Sequence, residues 1–146
     1  MINLDDLGVK IFADGADLAG IKAMYAKPWI RGFTTNPTLM RKAGVVDYKS
    51  FAHEVLRAVP DRPVSFEVFA DDFVEMERQA REIASWGPNV NVKIPVTTTR
   101  REFAGPVIQR LSRDGVQVNV TAVLTLEQVK AVTASVAEET PAIISV

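Results

Sequence analysis

The chain has 146 residues, 47% of them hydrophobic, with 17 basic and 18 acidic side chains and a formal net charge of −1. That length can bury one core, and the interspersed charges argue against a nucleic-acid surface, which needs a clustered basic footprint. With no cysteine there is no disulfide, thiolate metal site or cysteine nucleophile, and no apolar run approaches the roughly 18–20 residues of a membrane helix. The start, Met1-Ile2-Asn3-Leu4-Asp5-Asp6, is acidic and lacks the basic and apolar regions of a signal peptide. A cytoplasmic protein is expected.

The first apolar run, Lys10 to Asp14, reads as a strand. Asp17 to Met24 reads as a helix with Asp17 as its N-cap. Ile30 to Thr34 is a second strand, and Pro37 forces a turn at Asn36. Asp47 to Val59 is helical, with Phe51, Val55 and Leu56 on one stripe. Val64 to Phe69 is the third strand. Asp72 to Trp86 is the third helix, stopped by Gly87-Pro88.

Val90 to Val96 is the fourth strand. Glu102 to Leu111 is the fourth helix, which Gly105-Pro106 should weaken or kink, and Asp114-Gly115 ends it. Val116 to Val123 is the fifth strand. Leu126 to Val136 is the fifth helix, capped by Thr125, and Ala142 to Val146 is a sixth strand. The expectation is α/β, with six strands and five helices in strict alternation in one domain. Two architectures fit: a doubly wound open sheet, or most of an eight-stranded (β/α) barrel of the TIM type. The first strand–helix turn, Ala13-Asp14-Gly15-Ala16-Asp17, lacks a glycine-rich phosphate fingerprint, which lowers the dinucleotide-binding version of the open sheet.

Lys93 is out of place in the apolar run Val92-Lys93-Ile94. Burying an ammonium is costly unless it is paired or gives up its proton, and a neutral amine can attack a carbonyl to form a Schiff base. Polar residues recur near the other strand ends: Asp14, Thr34 with Thr35 and Asn36, Glu67, and Asn119 with Thr121. In a barrel such positions converge on one mouth. Side-chain alternation puts Ser65, Glu67 and Phe69 on one face of the third strand, so Glu67 would point towards Lys93 if that face is interior. Glu67 would relay protons through a water, and Asp14 would take a proton from a substrate hydroxyl. Thr34, Asn36, Asn119 and Thr121 would hold sugar hydroxyls and the water.

Each residue also has a plainer reading. Lys93 could be an edge-strand lysine that discourages aggregation. Glu67 could be solvated, Asp14 a cap, Asn36 a turn residue, and Thr121 a β-branched strand residue. His53 reads as a surface residue. Thr97, Thr98 and Thr99 read as a loop and helix cap rather than a phosphate cradle.

Five segments, in order, carry a resemblance: Lys10-Ile11-Phe12-Ala13-Asp14, Gly32-Phe33-Thr34-Thr35-Asn36-Pro37-Thr38-Leu39, Phe66-Glu67-Val68, Val92-Lys93-Ile94-Pro95 and Asn119-Val120-Thr121-Ala122-Val123. Together they resemble the motifs of the transaldolases, with the small fructose-6-phosphate-aldolase-like members most similar in size and spacing. The resemblance implies a (β/α)8 barrel, no metal or other cofactor, and a Schiff base between Lys93 and a ketose phosphate. Asp14 and Glu67 would be the acid/base pair. Thr34, Asn36, Asn119 and Thr121 would contact substrate or water. It further implies a cytoplasmic homo-oligomer in the pentose phosphate pathway, with a sugar phosphate substrate and no membrane or nucleic-acid partner. The aldolase branch has glutamine where this chain has Glu67, which favours transfer of a dihydroxyacetone unit over aldol cleavage.

Family members carry roughly two more βα units, with the arginine and serine that hold the substrate phosphate. Six strands cannot close an eight-stranded barrel, so a fragment or truncation, poorly active alone, is expected. A degenerate barrel serving as an assembly partner is the non-catalytic alternative. A nucleotide-dependent open sheet ranks last.

Overall fold

A computed structural model describes residues 8–146; the acidic start lies outside the described residues. Among these there are six strands and six helices. In order they are β1 (Ile11–Asp14), α1 (Leu18–Tyr25), β2 (Ile30–Thr34), α2 (Pro37–Lys42), α3 (Tyr48–Ala58), β3 (Val64–Glu67), α4 (Phe73–Ala84), β4 (Val90–Pro95), α5 (Gly105–Arg113), β5 (Val118–Thr121), α6 (Leu126–Ser135) and β6 (Ala142–Ile144). The chain divides into two compact units, one running to Phe66 and one from Glu67 to Val146.

In the first unit, β2 lies parallel between β1 and β3, with Asp14 opposite Thr34 and Phe33 opposite Val64. Its core holds Ile21, Phe33, Phe51, Val55, Val64 and Phe66. Tyr25 tilts onto Phe33 and Tyr48 meets Phe66 edge-on. Gly32 lies close under Phe12: a β-carbon there would lie 2.1 Å from Cε1 of the ring, which would have to move. The helix α2 was not expected. Asn36 and Pro37 read as a turn, but proline suits a first helical turn because no N–H is needed there. Asn36 then caps α2, accepting the Leu39 N–H at 2.8 Å. The strict alternation is thereby broken between β2 and β3.

In the second unit, β5 lies parallel between β4 and β6. Met76, Ile83, Val92, Ile94, Ile108 and Leu111 are among its buried side chains. Val68, just past β3, donates its N–H to the Lys93 carbonyl at 3.2 Å. So β4 runs beside the segment that follows Glu67. Glu77 on α4 accepts from Arg110 on α5 at 2.7 Å and from Arg81 at 2.7 Å, which ties the two helices across their outer faces.

The helix α5 begins at Gly105, with Pro106 in its first turn. Pro106 therefore starts this helix rather than kinking one that began at Glu102. The threonines at 97–99 belong to the loop and do not cap it. The expected cap at Thr125 is present, in a reciprocal capping box with Gln128.

Candidate active site

On β4, backbone alternation separates Val90, Val92 and Ile94 from Asn91, Lys93 and Pro95. The first set is buried. Lys93 thus sits on the polar face of an otherwise apolar strand. Its Nζ lies 3.3 Å from Glu67 Oε2, with the side chains 14% and 22% exposed. This ion pair is longer than a short charge-assisted bond, roughly 2.7–2.9 Å. Both groups are partly dehydrated yet reachable. The Lys93 amine thus has the Glu67 carboxylate in direct contact.

On β5, Asn119 is the register partner of Lys93 and Thr121 that of Pro95. Asn119 is buried, and its Oδ1 accepts the Ser145 hydroxyl at 2.7 Å. Ser145 is itself anchored, its N–H donating to the Val120 carbonyl at 2.8 Å. With its oxygen on Ser145, the Asn119 amide directs Nδ2, the donor end, away from that hydroxyl. The Thr121 hydroxyl reaches the Ile94 carbonyl at 3.5 Å, a weak contact. The residue after it, Ala122, has φ +58, a left-handed conformation that turns the chain off the strand.

Ser145 was not singled out from sequence. The available signal was a hydroxyl directly after Ile143-Ile144, at the same place relative to its strand as the other polar residues.

In the first unit, the Thr34 hydroxyl donates to Asp14 Oδ1 at 2.8 Å. Asn36 uses its amide oxygen as the α2 cap, which leaves Nδ2 as its donor. Thr35 is buried, and both its N–H and its hydroxyl reach the Ser65 carbonyl at 3.1 Å. Among the predicted residues, then, direct side-chain contact joins Lys93 to Glu67 in one unit and Thr34 to Asp14 in the other. Asn119 lies beside Lys93 by strand register, and Thr121 lies two residues further along.

The strand ends lead into ordered loops. Asp71, between β3 and α4, accepts the N–H of Thr99 at 2.8 Å and also its hydroxyl. Those two bonds hold the Asp71 carboxyl below the usual carboxylate range. Among the described residues no group of three or more His, Cys, Asp or Glu could hold a metal ion. None of the described helices is long and apolar enough to cross a membrane.

Residues 11–146 match the sequence pattern of the family described as "Transaldolase/Fructose-6-phosphate aldolase". The chain is 42% identical over 120 residues to a "Probable transaldolase" of Dehalococcoides mccartyi, covering 82% of this chain and 54% of that protein. Against a "Probable transaldolase" of Streptococcus agalactiae serotype V the identity is 40%, over 82% of this chain and 53% of the relative. The chain thus spans about half the length of these curated relatives.

A dihydrodipicolinate synthase from Rhodopseudomonas palustris superposes with a TM-score of 0.58 at 19% identity, covering 89% of this chain and 52% of the other. A structure titled "PhdJ bound to substrate intermediate" gives a TM-score of 0.52 at 14% identity, over 99% of this chain and 68% of the other. These two likenesses concern the fold alone, and they fit an α/β chain of the TIM-barrel type. The chain belongs to the transaldolase/fructose-6-phosphate aldolase family.

Proposed function

We infer that this chain carries the covalent chemistry of a transaldolase. Lys93 Nζ adds to the ketone carbon of a ketose phosphate, and loss of water leaves a protonated Schiff base. A base takes the proton from the hydroxyl on the far carbon of the bond to be broken, so that this carbon becomes the carbonyl of the leaving aldose. The carbon–carbon electron pair then flows into the imine, and an aldose phosphate leaves. The enamine left on Lys93 adds to a second aldose phosphate, and water releases the new ketose. Dihydroxyacetone is the unit transferred, as in the pentose phosphate pathway.

The observation that carries this reading is the 3.3 Å contact between Lys93 and Glu67, in a chain of this family. A nucleophilic amine must shed a proton before attack, and carbinolamine dehydration needs a proton delivered to its hydroxyl. One carboxylate beside the amine suits both. Asp14 is assigned as the base for the substrate hydroxyl from its place in the first motif. Its bond from Thr34 holds the carboxylate in one orientation. Thr34, Asn36, Asn119 and Thr121 take substrate hydroxyls and the water. The reading carries with it a cytoplasmic homo-oligomer acting without a metal or other cofactor.

The family description also names fructose-6-phosphate aldolase, so simple aldol cleavage is the second reading. The carboxylate at Glu67 favours transfer. The test is borohydride reduction of the chain with fructose 6-phosphate or dihydroxyacetone, then mass mapping. An adduct on Lys93 is expected. No adduct on a folded sample would sink the proposal. With fructose 6-phosphate and erythrose 4-phosphate together, formation of sedoheptulose 7-phosphate marks transfer, and free dihydroxyacetone marks cleavage.

A further inference from the structure

The backbone leaves the sheet directly after Glu67, and residues 68–72 have no regular secondary structure. N–H groups on such a stretch are satisfied one by one rather than by a ladder. Val68 donates to the Lys93 carbonyl at 3.2 Å. The next two N–H groups, those of Phe69 and Ala70, converge on a single atom, Oε1 of Gln79, at 2.8 and 3.0 Å. Asp72 then accepts from Val74 and Glu75 as the cap of α4. A side chain of α4 therefore reaches back past the start of its own helix and holds the stretch that follows Glu67.

Gln79 suits this task by position and by chemistry. It adjoins the buried stripe Met76, Ala80 and Ile83 of α4 and is itself half-buried. Its amide oxygen has two lone pairs for the two donors, and its Nε2 donates to Glu75 Oε1 at 3.2 Å. Glu75 is in turn held by Arg78 at 2.7 Å. With Nε2 on Glu75, the amide directs its oxygen at the loop.

We propose that Gln79 is a positioning residue for the Lys93–Glu67 pair: by holding Phe69 and Ala70 it sets where Glu67 lies against β4. Glu67 is separated from Phe69 by Val68 alone, and Val68 is bonded to the backbone of Lys93 itself. A shift of the held stretch moves the Glu67 carboxylate relative to Nζ, and proton transfer across a 3.3 Å contact is sensitive to such shifts. The consequence for catalysis rests on the reading of Lys93 as the Schiff-base amine; the positioning of the pair does not.

The test is a double-mutant cycle on the whole chain. The main readout is the rate at which dilute acetic anhydride acetylates Lys93, measured by mass mapping against the exposed Lys130. Borohydride trapping with dihydroxyacetone runs in parallel. Gln79→Met keeps the length and helix propensity of the side chain but has no oxygen. It should change the Lys93 rate in the same direction as Glu67→Gln does, by roughly three-fold or more. Added to Glu67→Gln it should change nothing further, since no carboxylate is left to misplace. Gln79→Glu retains an oxygen for both N–H groups and should restore the parental rate. It should nevertheless melt lower than the parent, because it places a second carboxylate one turn from Glu75. A merely structural role would make rate follow stability. A Lys93 rate that Gln79→Met leaves unchanged, or alters alike in the parent and in Glu67→Gln, would overturn the proposal. The expected coupling without any dihydroxyacetone adduct would keep Gln79 as the positioning residue and remove the Schiff-base reading.

Discussion

Ser145 donates its hydroxyl to Asn119 at 2.7 Å, and Asn119 is the cross-strand partner of Lys93. A residue on β5 beside Lys93 is thereby held by one just beyond β6. Replacing Ser145 by Ala removes this donor from the Asn119 oxygen. The loss should cost about 1 kcal/mol of stability. Adduct formation at Lys93 should slow several-fold, with an altered pH profile, and Ser145→Thr should restore most of it. Borohydride trapping at several pH values reads this out; a Ser145→Ala variant with unchanged trapping would remove Ser145 from the site.

Glu67→Gln keeps the shape of the side chain and removes the charge beside Lys93. Trapping should slow by roughly 10²-fold or more, the usual scale for a general acid/base group. Any residual activity should shift from transfer towards release of free dihydroxyacetone. The product ratio from fructose 6-phosphate with erythrose 4-phosphate measures this. Lys93→Met should give no adduct while keeping its circular dichroism.

Glu77 links α4 and α5 through Arg110 and Arg81, and these hydrogen bonds hold its carboxyl below the ordinary glutamate range. A depressed folded-state value stabilises the fold fully above the unfolded value of about 4.3, and that contribution is lost as pH falls through the folded value. Glu77 is 19% exposed while its arginine partners are about half open to solvent. Glu77→Gln should therefore cost only about 1–2 kcal/mol at neutral pH. Urea unfolding at pH 7 and at about pH 3 should find the gap between parent and variant narrowing in acid. A gap that widens in acid would contradict the assignment.

Gly32→Ala places a methyl carbon 2.1 Å from Phe12 Cε1. The ring must move, and a cost of about 1–3 kcal/mol is expected. Phe12→Leu in the same chain should recover part of it by vacating that space. Chemical denaturation of the single and double variants checks the coupling, and additive losses would show that the two residues do not meet.

Much of the site was legible because polar groups are conspicuous in apolar strands. Lys93 and Glu67 stood out this way, and their contact arises from side-chain alternation on β3 and β4. The helix α2 was not legible, because Asn36-Pro37 has the same local chemistry as a turn and as a capped helix start. The residues after Pro37 decide between them. The Gly105-Pro106 step was misread for the same reason: proline interrupts a helix from within and suits its first turn. Ser145 was passed over because the final apolar run was read for burial alone.

By itself the sequence determined the order of the strands and of five of the six helices, the caps Asp17 and Thr125, and the polar strand ends, because these arise from short-range periodicity and from side chains bonding their own backbone. The tertiary structure alone decided which oxygen meets which nitrogen. Ser145 and Asn119 are 26 residues apart, and Thr99 and Asp71 are 28 apart; parallel strands and the loops after them bring such pairs together through register, which no local pattern encodes.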